Sequence, residues 1–364
     1  MSAPISAGPP LDLRELEQDK QRSAQLAALA KGSRDVYEKC ALLAQVTFCS
    51  KPLMNVLCFV YLQVSGIVTQ RNAGRLALEF LPVILEFQID PYPEVKGEVV
   101  KFLDELTDVV GTVSSEELLN ALLLVLPTLG NLIQSNQPAV IKQVVIAFNS
   151  IYRRSLKALV EPPTLWTPTH ANVLNLLNVC KRQVFEHLYS PNEGVRNSVL
   201  KFLEALVIAF TFPSTDHHPP SHDERKQFFH VSMVPADHPA FNVVALKGEA
   251  DDFLHRLMVE LTSTRLSATS MSVVTSSFGV IGHQRVHYLS VVVPTLQRLT
   301  KVPPVHVPPI QLNRVNYILR SVLMGLVKFR FAAQYYDTLV DALTSLGCGN
   351  EAVLARRESE KKAK

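Results

Sequence analysis

Apolar side chains recur every three to four positions along most of the chain, the spacing that gives an α-helix one apolar face. Clusters of Pro, Gly, Asn and Ser fall between the periodic segments and predict turns. The pattern therefore predicts an all-α protein, with helices over 35–48, 51–63, 74–87, 94–109, 115–134, 139–157, 168–188, 194–210, 242–262, 267–283, 286–300, 312–329 and 331–346.

Three of the predicted helices begin with one repeated pattern of an aliphatic residue, a cation, an aliphatic pair and a phenylalanine. The copies lie about 46 and 54 residues apart, close to the period of two-helix HEAT or armadillo units. Such units bury their apolar faces by stacking on their neighbours, and the stack usually holds another macromolecule. The sequence therefore predicts a HEAT/armadillo-like α-solenoid of stacked antiparallel helix pairs, on the strength of Val95-Lys96-x-x-Val99-Val100-Lys101-Phe102, Ile141-Lys142-x-x-Val145-Ile146-Ala147-Phe148 and Val195-Arg196-x-x-Val199-Leu200-Lys201-Phe202.

Three segments lie outside the helical pattern. Residues 1–33 are rich in Pro, Gly, Ser and charge, and we expect them to be mostly disordered. Residues 212–240 form a long Pro/His-rich loop, and residues 351–364 predict a charged, disordered tail. The solenoid is thus expected over 34–350, as one extended domain.

Composition narrows the class of partner. The chain is 47% apolar, 19% charged and 7% aromatic, as expected for a helical protein with an ample core. Its 36 basic and 33 acidic residues give a net charge of +3, well short of a dedicated nucleic-acid binder. We therefore expect no direct binding of nucleic acid.

Cysteine usage and hydropathy indicate the compartment. The five cysteines are odd in number and form no C-x-x-C pair, so we expect reduced, buried thiols. No charged and then apolar leader opens the sequence. The apolar stretches 52–68 and 118–133 are interrupted by polar residues, Pro and Gly, so we expect no membrane span. These features favour an intracellular, reducing environment.

Catalytic and metal-binding motifs are missing from the sequence. His218 and His222 have a helical metal-ligand spacing, but Pro219 and Pro220 between them oppose a helix there. No H-E-x-x-H, G-x-S-x-G, Walker A or G-x-G-x-x-G pattern occurs. We therefore expect no enzyme activity, no metal and no cofactor.

Candidate binding residues lie on the outward face of the repeated helices. In the third copy the apolar stripe leaves Ser198, Lys201 and Glu204 pointing away from the core, and Lys101 takes the same place in the first copy. The cation that opens each copy is expected to bridge neighbouring units, a structural role.

Several local sequence patterns indicate a particular protein family more specifically than helical periodicity does. Through them the chain resembles the amino-terminal HEAT domain of the symplekin family, the scaffold proteins of messenger-RNA 3′-end processing, over about 35–351. The patterns are Phe80-Leu81-Pro82-x-Ile84-Leu85-x-Phe87-Gln88, Asn192-Glu193-Gly194-Val195-Arg196, Val234-Pro235-x-Asp237-His238-Pro239, and Val302-Pro303-Pro304 ahead of Arg314.

The resemblance implies a non-enzymatic nuclear scaffold of cleavage and polyadenylation. It implies that the inner solenoid surface binds and stimulates the phosphatase of the RNA polymerase II C-terminal domain, and that cleavage and polyadenylation factor subunits are further partners. Carried over by position in the third copy, the implied contact is Lys201, followed by Asn197, Glu204 and Lys101. Family members are usually much longer than this chain.

Two other classes stay open at this point. One is a generic HEAT or armadillo adaptor in nuclear transport or trafficking, which pull-down of transport proteins would reveal. The other is a nucleic-acid-binding solenoid, which would require clustered cations and aromatic residues on the inner helices.

Overall fold

Helices make up most of the part of the chain that the structure describes. The structure is a computed structural model that describes residues 13–46, 75–161, 166–213 and 229–363. The predicted helix at 51–63 lies outside these residues. The α-helices are α1 (Leu13–Gly32), α2 (Val36–Val46), α3 (Arg75–Leu85), α4 (Pro93–Val113), α5 (Ser115–Ile133), α6 (Pro138–Val160), α7 (Pro168–Glu186), α8 (Glu193–Ala209), α9 (Val243–Thr262), α10 (Ala268–Gln284), α11 (Leu289–Lys301), α12 (Pro309–Val327), α13 (Tyr336–Ser345) and α14 (Gly349–Ala363).

Short 3₁₀ segments extend or precede several of these helices. They occupy Glu86–Ile89, His187–Tyr189, Val231–Met233, Val286–Tyr288 and Arg330–Tyr335. The helices group into two compact units, Met1–Gln183 and Val184–Lys364. The helical period is the same on both sides of this boundary, so the pattern of apolar residues does not mark it.

The first unit is built of helices whose ends the sequence encodes. Pro93 and Pro138 stand at the first positions of α4 and α6, where a missing amide hydrogen costs nothing. Ser114 caps α5, since its hydroxyl accepts a hydrogen bond from the Glu117 amide at 3.2 Å. Helices α4, α5 and α6 pack against one another, each in contact with the other two. The prediction of stacked antiparallel helix pairs is confirmed here.

The second unit repeats the arrangement. Helices α8, α10 and α12 form one layer in which each packs on the next, while α9 packs on α8 and α11 on α13. Asn192 caps α8 by accepting from the Val195 amide at 3.1 Å. Ser267 caps α10 by accepting from the Ser270 amide at 3.2 Å. The layer of α8, α10 and α12 carries most of the surface considered below.

The cations that open the three repeated helices do not share one role. Lys96 donates to the Gln137 side-chain oxygen at 3.3 Å, and Gln137 lies in the turn before the next repeated helix. Arg196 instead donates to the Ser190 carbonyl at 3.1 Å, in the turn before its own helix. Lys142 is exposed. The predicted link between neighbouring units is confirmed for Lys96 alone.

Helices occupy the described parts of the two terminal segments, 13–32 and 349–363. Residues 349–363 form α14, which buries Ala352, Ala355 and Ser359. The Ser359 hydroxyl donates to the Val327 carbonyl of α12 at 3.2 Å. Small residues at helical spacing form this face, and the many charges around them conceal it in the sequence. Helix α1 likewise buries Ala27 and Ala30 within the segment 1–33.

The second part of the predicted loop 212–240 is packed against the core. Phe229 is 2% exposed, and its ring lies 6.3 Å from that of Phe210 and 6.5 Å from that of Phe241. His238 Nδ1 accepts from the amides of Ala240 and Phe241, at 3.2 and 3.1 Å. The Asp-His-Pro pattern is thus a turn that leads into α9. Residues 214–228, with His217, His218 and His222, lie outside the described residues.

Among the described helices, α5 has the length and apolar composition of a membrane span. Of that stretch, 56% is buried inside the protein, and its buried residues include Leu122, Val125 and Leu126. Core helices pass the same test of length and composition, so the feature is weak evidence for a membrane.

Candidate partner-binding surface

Helix α8 presents a short polar surface opposite its buried stripe. Val195, Val199 and Phe202 are fully buried in the second unit. One turn apart on the other side, Lys201 and Glu204 form an ion pair between Nζ and Oε2 at 2.6 Å. The lysine side chain is 44% exposed and the glutamate 13%. Lys201 is therefore directed outward as predicted, whereas the Glu204 side chain is mostly covered.

The ion pair with Glu204 orients the Lys201 amine but leaves it accessible to solvent. Pairs three or four residues apart on an exposed helix contribute only about 0.2–0.5 kcal/mol. The exposed side of the Lys201 amine can therefore bind a partner carboxylate or carbonyl while its bond to the Glu204 carboxylate is kept. The geometry suits recognition of an anionic or carbonyl-rich partner surface.

Asn197 lies deeper than the sequence implied. It is half-buried, and its Oδ1 is enclosed without a hydrogen-bond partner among the described residues. The Nε atom of the neighbouring Arg196 is also enclosed without a hydrogen-bond partner among the described residues, although its Nη1 donates to the Ser190 carbonyl. An enclosed acceptor without a partner costs about 1–3 kcal/mol. Asn197 thus lies beside Lys201 with its side-chain oxygen covered.

Lys101 lies on α4, in the first compact unit. On α4 its Nζ pairs with Glu98 Oε1 at 2.5 Å, and its side chain is 57% exposed. The glutamate stands one turn before the lysine here and one turn after it on α8. In the middle copy the same position is Ala147, which is 5% exposed. The four predicted residues are therefore divided, with three on α8 and one on α4.

Comparison with known families decides the identity of the chain. The family model described as Symplekin/PTA1 N-terminal matches residues 137–364, well over half of the chain. The chain belongs to this family. Symplekin-family membership assigns it to the protein scaffolds of messenger-RNA 3′-end processing, with protein partners in that machinery. The resemblance noted in the sequence is confirmed.

Three solved structures are distantly similar to this symplekin-family chain. An engineered protein matches with 13% identity over 82% of this chain and 97% of its own, at a TM-score of 0.35. A designed armadillo repeat protein matches with 12% identity over 83% and 99%, at 0.36. The karyopherin Kap121p, bound to the extreme C-terminus of the protein phosphatase Cdc14p, matches with 12% identity over 93% and 41%, at 0.22. At these scores they add nothing about fold or partner.

Several titratable side chains in the described part of this symplekin-family chain have structural contacts. No group of three or more His, Cys, Asp or Glu there is arranged to hold a metal ion. Tyr288 donates to Asp251 Oδ1 at 2.6 Å, and burial raises the pKa of the Tyr288 hydroxyl. Burial lowers the pKa of His287, whose ring stacks on that of Tyr288. These contacts fasten α9 to the segment after α10, which is a structural role.

The cysteines of the symplekin-family chain differ in burial. Cys180 is 4% exposed and its Sγ lies 3.4 Å from the Leu126 carbonyl oxygen, whereas Cys40 and Cys348 are half-buried free thiols. The prediction of a buried thiol is confirmed for Cys180, while Cys49 and Cys58 lie outside the described residues.

Alkylation should separate these thiols. Burial raises the pKa of Cys180 to about 11, so the reactive thiolate is scarce near pH 8. We expect iodoacetamide to leave Cys180 unmodified in the folded protein while Cys348 reacts, and to modify both in guanidinium, as read by peptide mass spectrometry. Equal native rates at the two cysteines would contradict the buried position of Cys180.

Proposed function

We propose that this chain is a non-enzymatic nuclear scaffold that binds the phosphatase of the RNA polymerase II C-terminal domain on the polar surface of α8. Lys201 is the principal contact, Glu204 orients its amine, and Asn197 contributes less. Lys101, on α4 of the first unit, is a separate and weaker candidate contact. Further subunits of the cleavage and polyadenylation machinery are its other partners.

The position and exposure of the Lys201 amine support this proposal most strongly. It occupies the position in the third repeated copy where the symplekin family's resemblance implies a contact, and its amine is exposed and only loosely held. The surrounding helix is rigid, because Phe202 and Leu203 beneath it are fully buried. A rigid helix that offers one exposed cation loses little conformational entropy on binding.

Stimulation of the phosphatase needs no catalytic group from this chain. A scaffold that binds one conformation of an enzyme better than another shifts the population towards it. If the conformation bound by α8 is the active one, turnover rises while all the chemistry stays in the phosphatase. The increase cannot exceed the ratio of the two affinities.

Replacing Lys201 tests the proposal directly. We expect Lys201→Ala to weaken phosphatase binding at least tenfold, about 1.4 kcal/mol, in a calorimetric titration. Because the Lys201 side chain is 44% exposed, the melting temperature should change little. Lys101→Ala should have a smaller effect on binding.

A lysine on another helix supplies the matched control. Lys247 is exposed on α9, outside the layer of α8, α10 and α12, and Lys247→Ala should leave binding within about twofold. Absence of phosphatase binding by the folded wild type would overturn the proposal. Equal losses in Lys247→Ala and Lys201→Ala would remove α8 as the contact surface.

A further inference from the structure

Charge is distributed very unevenly in the second unit. Between Glu260 and Asp337 the sequence contains no Asp or Glu and eight Lys or Arg residues. This stretch holds α10, α11 and α12 and lies wholly within the described residues. Although the net charge of the whole chain is only +3, this part of it is strongly basic.

Helix α12 concentrates this charge on one face. Its buried stripe contains Val315, Leu319 and Leu326, each with 0% exposure. The opposite face carries the three exposed cations and two large exposed apolar side chains, of which Ile310 is 87% and Tyr317 70% exposed. The cations are Arg314, Arg320 and Lys328, the last directly after the helix.

The three cations are electrostatically unsatisfied. Within the described part of the chain, none of their side chains makes an ion pair, a hydrogen bond or a ring contact. By contrast, Lys301 in the same acid-free stretch pairs with Asp341 at 2.9 Å. A run of unpaired cations repels itself, so an acidic ligand would relieve that repulsion.

A shallow groove runs beside this face, between α10 and α12. Its volume is about 360 Å³, and its walls are small or aliphatic side chains. The close approach of the helices depends on Gly279, since an added Cβ would lie 3.0 Å from Val322 Cγ1. The groove is lined by Ser276, Gly279, Val280, Ser321, Val322 and Gly325, with His283 and Gln284 at one end.

A second opening of about 430 Å³ lies at the amino-terminal end of the same face. Arg314, Ile310 and Gln311 of α12 line it together with Ser267 and Glu193. The Glu193 carboxylate accepts a hydrogen bond from the Ser267 hydroxyl. It is the one acidic residue lining either opening, and it stands at the edge of the basic face.

We propose that the exposed face of α12, with the adjoining groove, binds an acidic protein segment in extended conformation. We call it the α12 face, meaning Ile310, Arg314, Tyr317, Arg320 and Lys328. The α12 face lies on a different helix from Lys201 and Glu204 of α8. Its proposed role is separate from phosphatase binding. The second partner it implies could be held at the same time as the phosphatase.

The spacing of the cations fits an extended peptide. At 1.5 Å per residue, Arg314 and Arg320 are about 9 Å apart along the helix, and Arg320 and Lys328 about 12 Å. A strand rises about 3.3 Å per residue, so acidic residues three or four positions apart match these distances. Ile310 and Tyr317 offer contacts for an apolar side chain between the acids. Three cations and one aromatic ring over about 21 Å are too sparse for a typical single-stranded nucleic-acid channel.

Fluorescence anisotropy would test the α12 face. The probe is a fluorescein-labelled Glu-rich peptide with a central Leu, and the comparison peptide has Gln in place of every Glu. The binding variant is Arg314→Glu with Arg320→Glu. Its matched control is Arg265→Glu with Arg298→Glu, which makes the same change in net charge within the same acid-free stretch. Thermal unfolding confirms that each variant folds.

We expect the wild type and the control variant to bind the Glu-rich peptide with similar affinity, and the binding variant to bind at least tenfold more weakly. The Gln peptide should also bind at least tenfold more weakly than the Glu-rich one. Ile310→Ser should weaken binding without changing its salt dependence.

Three results would overturn the proposal. They are absence of Glu-rich peptide binding by the wild type, equal binding by the two double variants, and tighter binding of poly(U) that depends on Arg314 and Arg320. Phosphatase titrations with the same variants keep the two proposals separate. The α12 substitutions should leave the affinity for the phosphatase within about twofold of the wild-type value.

Discussion

Replacing Phe202 by alanine is expected to lower the free energy of unfolding by about 3–5 kcal/mol, the range for a large aromatic removed from a packed core. Phe202 is fully buried on α8, and its ring lies 5.9 Å from that of Phe185. The Phe185 ring in turn lies 5.4 Å from that of Phe253 on α9. The substitution would therefore open a cavity beside the rings of Phe185 and Phe253.

Urea unfolding followed by circular dichroism measures this loss. Phe202→Leu should cost clearly less, since most of the volume is kept. Lys201→Ala, one residue away on the same helix, should cost less than about 0.5 kcal/mol. If Phe202→Ala and Lys201→Ala destabilised the protein equally, the assignment of buried and outward faces on α8 would be wrong.

Replacing Arg285 by methionine is expected to cost about 2–4 kcal/mol of stability, because its hydrogen-bond acceptors would be left buried and unsatisfied. Arg285 is 5% exposed, and burial lowers its pKa to about 10, so it remains charged at neutral pH. It donates to the Ile208 carbonyl, to Thr211 Oγ1 at 2.8 Å and to the Gln284 carbonyl at 2.8 Å. The two carbonyls lie at the carboxyl ends of α8 and α10, where helix dipoles favour a cation.

The same urea experiment measures the effect. Arg298→Met removes an exposed arginine from the same basic stretch and should change stability by less than about 0.5 kcal/mol. Arg285→Lys should recover part of the loss, since it keeps the charge but not the planar set of donors. A cost for Arg285→Met no larger than that for Arg298→Met would mean that the buried guanidinium does not join the two helix ends.

The helices were largely predictable from sequence, because their signals are local. Ser114 ahead of two glutamates marked the start of α5, and prolines marked the starts of α4 and α6. The repeated phenylalanine identified a buried position in each copy, as the burial of Phe102, Phe148 and Phe202 confirms. The outward position of Lys201 followed from the same 3.6-residue period.

Features that depend on tertiary contacts were not predictable. A buried arginine such as Arg285 looks like any surface cation until α8 and α10 are packed together. The alanine face of α14 was hidden among charges, and the depth of Asn197 depends on what packs beside α8. The α12 face did leave a sequence signal, the absence of acids between Glu260 and Asp337, but only the packing shows which of its cations share a face.

Photo-crosslinking from α8 would test phosphatase binding most directly. Ser198 lies one turn before Lys201, and benzoylphenylalanine placed there should crosslink to the phosphatase of the RNA polymerase II C-terminal domain. The same probe at the exposed Arg256 on α9 serves as the control and should give no phosphatase adduct. An adduct from position 198 alone is the predicted result, whereas no adduct at 198, or equal adducts at both positions, would contradict binding through α8.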